Sequence, residues 1–129
     1  APAGVPAGGR HRGRAPAACP ACQIRSVGGS SASFTDLPGA VDRAAVNGAE
    51  AISDSYGGSE FPTDASIATH YNKPGVAITV SSGDSGYGAQ APAAFNTVTA
   101  VGGTTLTLNG DSTRKNETVW SGAGSGCSA

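Results

Sequence analysis

Val76-Ala77-Ile78-Thr79-Val80 runs directly into Ser81-Ser82-Gly83-Asp84-Ser85-Gly86-Tyr87-Gly88. The first five residues are apolar or β-branched and read as a strand buried on both faces, the pattern of a parallel sheet. The block after it is a polar, glycine-punctuated turn at that strand's carboxyl end. Upstream, Lys73-Pro74-Gly75 ends a helix that Thr63 or Asp64 caps and that runs to about Asn72. Before it, Ala49 to Ser55 reads as a strand broken by Tyr56-Gly57-Gly58. Earlier still, Leu37, Ala40, Val41, Ala44 and Ala45 recur at the spacing of one helix face. Asp36 is placed to cap that helix, Pro38 suits its first turn, and Gly48 supplies its stop. Gln23-Ile24-Arg25-Ser26-Val27 reads as a short strand. Downstream, Thr97 to Val101 is another, and Thr104 to Leu108 a weaker one.

The order strand, helix, strand, helix, strand, loop, strand predicts an α/β fold: a mostly parallel sheet flanked by helices and joined by right-handed crossovers. In such sheets, sites lie beyond the carboxyl ends of the strands. Two of those ends, Ser55 to Glu60 and Ser81 to Gly88, are polar and glycine-rich, and they are expected to converge on one rim.

Composition narrows the function. The chain has 129 residues, of which 38% are hydrophobic and only 13% charged, with a formal net charge of -1. That charge builds no field for nucleic acid or an anionic membrane, and no apolar run approaches the ~20 residues needed to span a bilayer. The one basic cluster, Arg10, Arg12 and Arg14, lies in an Ala/Gly/Pro-rich stretch and reads as a solvated arm. Residues 1–17 are low in complexity and are expected to be irregular. Every residue in them can be encoded by codons beginning with G or C, so out-of-frame translation of a GC-rich gene is the other expectation for this tail. Residues 18–129 form the folded unit. Cys19-Pro20-Ala21-Cys22 has the spacing of half a zinc knuckle, but no second pair follows, so no metal is expected. The motif precedes a strand rather than opening a helix, which leaves a structural disulfide or plain thiols open. Cys127 makes the cysteine count odd.

The block around Asp84 has two readings. As structure, it is a strand-end turn whose acid bonds nearby amides. As chemistry, Gly83-Asp84-Ser85-Gly86 has the letters that surround the nucleophile of chymotrypsin-like proteases. That family continues into Gly-Pro, whereas Tyr87-Gly88 follows here. Neither His11 nor His70 has its histidine's Ala-Ala-His-Cys context, and its fold is all β.

Four ordered blocks resemble another family: Cys19 to Ile24, Ser53-Asp54-Ser55-Tyr56-Gly57-Gly58-Ser59-Glu60, Pro74 to Gly86, and Val98 to Leu106. From about Ala18 to the end they resemble the sedolisins, acid-active serine-carboxyl endopeptidases with a subtilisin-like fold, most nearly the secreted bacterial members. The resemblance implies a partial subtilisin-like domain, a secreted, extracellular protein and a polypeptide substrate in the intact protein. It implies that Asp84 is the oxyanion-site acid, donating a hydrogen bond while protonated. It implies that Ser55, Tyr56, Gly57 and Gly58, with Ser82 and Gly83, line the groove where an extended peptide pairs by strand addition. An oxidising compartment, also implied, together with the odd count predicts a Cys19–Cys22 disulfide and an unpaired Cys127.

The departures matter as much. The family's Glu base and orienting Asp sit four residues apart on a helix just before the Cys-Pro-x-Cys block, yet nothing before Asp36 is acidic. The family's nucleophile lies in a Gly-Thr-Ser block beyond the stretch matched by Gly124 to Cys127, and its calcium site lies beyond that, so no cofactor is expected in this chain. The chain is therefore expected to carry the oxyanion and groove segments without the Ser/Glu/Asp triad, and to be inactive alone. A non-catalytic pseudo-peptidase or peptide-binding module is the alternative. Asn116-Glu117-Thr118 matches a glycosylation sequon and reads as incidental in a bacterial protein.

Overall fold

The computed structural model describes residues 15–62 and 64–128. The expectation of an irregular tail falls largely on residues 1–14, outside the described residues, while residues 15–18 are helical. The elements are α1 (Leu37–Val46), β1 (Ala51–Asp54), β2 (Gly58–Ser59), α2 (Asp64–Ala68), a 3-10 turn (Thr69–Tyr71), β3 (Ala77–Ser81), β4 (Gln90–Ala91), β5 (Thr99–Val101), β6 (Thr104–Leu108) and β7 (Arg114–Val119). β1, β3 and β5 form a parallel sheet in that order. The short β2 and β4 pair antiparallel, as do β6 and β7. The helices, the three parallel strands and β6 thus lie where the alternation places them, in an α/β fold with a mostly parallel sheet.

Register decides which side chains reach the core. Ile52 stands beside Ile78, and Asp54 beside Val80. Side chains alternate across a strand, so Ile52, Ile78 and Val80 share one face, with Asp54 at its end. Val41 from α1 and Tyr71 from the 3-10 turn complete the buried cluster, and Ile67 of α2 packs against it. Ala51, Ser53 and Ala77 point the other way and are exposed, and Thr79 and Ser81 are half-exposed. This corrects the expectation that β3 is buried on both faces: both helices sit on the same side, and the hydroxyl-bearing residues Thr79 and Ser81 occupy the other.

Two further expectations are corrected. Residues 23–27 form no strand, because no neighbouring strand pairs with them; Arg25 Nη1 instead donates to the Asn47 carbonyl at 3.0 Å. Asp36 precedes α1, but its side chain makes no capping bond. The Ser31 hydroxyl takes up its carboxylate at 2.6 Å, while the Asp36 N–H donates to Ser33 Oγ. Gly48, at φ +80°, follows α1 as expected. Cys19 and Cys22 are disulfide-bonded, and Cys127 is free and exposed.

A surface cluster ties α1 to the chain that leads into β3. Asp42 lies 2.7 Å from both His70 Nδ1 and Lys73 Nζ. Burial works against its charge, but hydrogen bonds from Lys73 and His70 outweigh that and hold the carboxyl below its ordinary value. The β6–β7 hairpin stands apart from the core, exposed along its whole length. Among the described residues, no helix is long and apolar enough to cross a membrane.

The one-sided core predicts a sharp contrast. Ile78→Ala should cost about 2–5 kcal/mol, whereas Leu108→Ala, half-exposed on the hairpin, should stay within about 0.5 kcal/mol. Denaturant unfolding of the two variants measures both. Equal losses would mean that the hairpin belongs to the core.

Candidate functional site

The parallel strands end at a common level, and the chain leaving β1 meets the chain leaving β3. A cavity of about 160 Å³ opens there, lined by Ser59 from the first and by Ser82, Gly83, Ser85, Gly86 and Tyr87 from the second. A second, of about 190 Å³, shares Ser82, Gly88, Ala89, Gln90 and Gly124 with it and extends to Ala93, Ala94 and Ala100. The convergence of Ser55–Glu60 with Ser81–Gly88 is therefore realised, and the site sits at the carboxyl ends of the sheet.

Two parts hold this rim that sequence reasoning did not identify. The first is Gln90. Its side-chain amide lies against both glycine turns: Oε1 is 3.0 Å from where a Cβ on Gly57 would stand, and 2.6 Å from the same point on Gly83. Gly83 is at φ +111°, a conformation side chains rarely adopt. The pairing of β2 with β4 places Gln90 there, and a single glutamine in a loop gave no signal. The second part is a strap, residues 120–126, laid along the Ser82–Gly88 turn. The Gly86 and Gly88 N–H groups donate to the Gly122 and Ser125 carbonyls, and the Gly124 and Ser125 N–H groups donate to Gly83 and Gly86. Gly124 passes so close to the turn that a Cβ there would collide with the Ser82 carbonyl.

The residues singled out from sequence divide by position. Ser82 and Gly83 line the cavity, and Ser82 Oγ is buried without a hydrogen-bond partner. Gly57 faces Gln90. Gly58 pairs with Ala91, and its outer side lies against the Phe34 ring, which meets Phe61 edge-on at 5.4 Å. Ser55 is exposed beside them. Asp84 is exposed at the tip of the turn, outside the residues lining either cavity. Tyr56 does not enter the cavity either. It packs against the core, and its hydroxyl meets that of Tyr71 at 2.6 Å.

That pair belongs to a buried polar group. Burial pushes the Asp54 carboxyl up to about 6, and a hydrogen bond from Tyr56 offsets this only in part. Its Oδ2 is buried with no partner. Burial first, and then the hydrogen bond with Tyr71, drives the Tyr56 phenol far above its ordinary value. Burial likewise pushes Tyr71 up to about 12. Among the described residues, no group of three or more His, Cys, Asp or Glu side chains is placed to hold a metal ion.

No protein-family model matches the chain, and no curated protein matches it. Among solved structures it is similar to Pseudomonas sedolisin, a serine-carboxyl proteinase complexed with two molecules of pseudo-iodotyrostatin. The TM-score is 0.58 at 32% identity, over 70% of this chain and 31% of that one. The fold is thus sedolisin-like, and the chain spans about a third of that protein's length.

Two outcomes are expected. Gly124→Ala should cost about 1–3 kcal/mol or more, because the turn must move to admit the methyl; unfolding of this variant with unchanged stability would remove the strap from the rim. The folded Asp54 holds its proton to about 6, against an ordinary 3.8. As pH rises through that window the unfolded chain releases a proton that the folded chain keeps, so stability falls with pH. The folded-to-unfolded ratio should drop by on the order of 10², and Asp54→Asn should abolish the drop. A step that persists in Asp54→Asn belongs to another group.

Proposed function

We propose that this chain supplies the oxyanion side and the substrate strand of an acid-acting serine-carboxyl endopeptidase, secreted and extracellular, without itself carrying the Ser/Glu/Asp triad. The observation that carries the reading is the meeting of Gly57–Ser59 with Ser82–Gly86 at one rim of the sheet, in a chain 32% identical to a serine-carboxyl proteinase over 70% of its length. In this reading an extended polypeptide lies along Ser55, Tyr56, Gly57 and Gly58. Backbone pairing gives affinity there without demanding particular side chains, and Ser82 and Gly83 form the opposite wall.

Asp84 is the acid of the oxyanion site. A protonated carboxyl at the tip of an otherwise uncharged turn donates one hydrogen bond to the oxygen that gains charge as the peptide carbonyl is attacked. Only the neutral acid can donate, which ties turnover to acidic pH. The nucleophile, its Glu base and the orienting Asp belong to segments this chain does not match. Two other acids, Glu60 and Asp64, lie after the substrate strand; Asp64 accepts the Phe61 N–H and Glu60 accepts from the Ser128 hydroxyl.

In a protein that joins this segment to the triad, Asp84→Ala should lower turnover ~10²–10³-fold, and Asp84→Asn, which keeps a donor, should lower it less. The chain alone should leave casein intact from acidic to neutral pH. Turnover by the purified chain that Asp84→Ala or Glu60→Gln abolishes would overturn the reading. Peptide binding without cleavage in any longer protein would favour a pseudo-peptidase.

A further inference from the structure

The substrate strand is not held at the rim alone. Tyr56 immediately precedes Gly57, and its hydroxyl runs inward to Tyr71, which is fully buried. Tyr71 is itself fixed, edge-on to Phe95 at 5.4 Å and inside the core cluster. Asp54, two residues before Tyr56, shares the Tyr56 hydroxyl and buries an oxygen that meets no donor. Three polar side chains thus pin the segment between β1 and β2 to the core.

We infer that Asp54 is a positioning residue for the Gly57–Ser59 strand, acting through the hydroxyls of Tyr56 and Tyr71 and holding that strand as the neutral acid. The argument is one of proton counting. Each phenol owns one proton. A neutral Asp54 donates a hydrogen bond to the Tyr56 oxygen, Tyr56 donates one to the Tyr71 oxygen, each group keeps its proton, and the buried carboxyl carries no charge. When Asp54 is ionised, the single Tyr56 proton is drawn to the carboxylate. Oδ2 then remains a buried charged oxygen without a donor, which costs the desolvation of an anion. Relief lies in moving Asp54 and Tyr56 towards water, and Gly57 and Gly58 move with them.

The surroundings do not supply the missing charge. β3, paired beside β1, carries no titratable residue. On α1, Asp42 is held by His70 and Lys73, and Arg43 is exposed. On α2, Asp64 accepts the Phe61 N–H. The groups that face Asp54 are the two phenols, whose protons burial holds in place at every pH below their own range.

This inference rests on reading Gly57–Gly58 as a peptide-binding strand, but its test uses no cleavage, so it can fail while the Asp84 assignment stands. Backbone amide exchange of the intact chain, expressed as protection factors, is followed across the window between 3.8 and about 6. Protection at Gly58, Ser59, Gln90 and Ala91 should fall on the order of 10²-fold, in step with the global loss at Ile78 and Val80. Asp54→Asn should remove the fall at the rim, and Tyr56→Phe should leave protection at the rim low at every pH. If Asp54→Asn does not fold, Tyr71→Phe serves: it keeps Asp54, removes the terminal acceptor, and should lower rim protection in acid. Rim protection that stays constant while β3 loses its own, a fall that survives Asp54→Asn, or full acid protection in Tyr71→Phe would each overturn the proposal.

Discussion

The parallel register of β1 on β3 governs everything else in this chain. Setting Ile52 beside Ile78 puts Asp54 beside Val80, so the last residue of β1 points into the core rather than to solvent. The same register brings both strands to an end at one level. The two polar turns then have no course except towards each other, and the cavity between them follows from where the strands stop. A slip of one residue would turn Ile52 and Asp54 to the open face and bring Ser53 inward. The buried surface of Ile52, Ile78, Val80 and Val41 holds the register against that slip.

Much of this was legible in the sequence because the signals were local. The spacing from Leu37 to Ala45 is a helix face whatever surrounds it, and Val76–Val80 is a strand on propensity alone. Gly83 and Gly86 announced a tight turn. What was not legible depended on partners far away in the chain. Gln23–Val27 has strand letters but no neighbour to pair with. β2 and β4 have two residues each and exist only because they meet. β7 reads Arg114-Lys115-Asn116-Glu117-Thr118-Val119, without the apolar alternation of a half-buried strand, since both its faces are exposed. Thr79 and Ser81 hinted that one face of β3 stays open, a hint that the run of apolar neighbours outweighed.

The site shows the same division. Sequence blocks located Ser82, Gly83 and Gly58 at the rim, and the sedolisin-like fold agrees with the resemblance that selected them. Tyr56 lay within the substrate block as well, yet only the three-dimensional arrangement reveals that its hydroxyl serves the core. In the sequence, Asp54 shares a four-residue spacing with Glu50, but both fall in the predicted strand, where that spacing builds no acid pair. The environment of Asp54, with one oxygen bare of donors and the other shared with a phenol, is a product of tertiary packing. Two acids thirty residues apart therefore have opposite characters: Asp84 is in water at the tip of a turn, and Asp54 is enclosed at the end of a strand.

The strap over the Ser82–Gly88 turn closes a long loop that contains β4, β5 and the β6–β7 hairpin. Closing such a loop has an entropic cost that grows only logarithmically with its length, about 0.6 kcal/mol per doubling. The four backbone hydrogen bonds of the strap are fixed in number however long that loop becomes. The hairpin, exposed on every residue and turned at Asn109–Thr113 by the Asp111 carboxylate, is thus insulated from the rim it helps to enclose. Chain can be added at its tip, lengthening the excursion between turn and strap, while the geometry around Ser82 and Gly83 stays where the strap has put it.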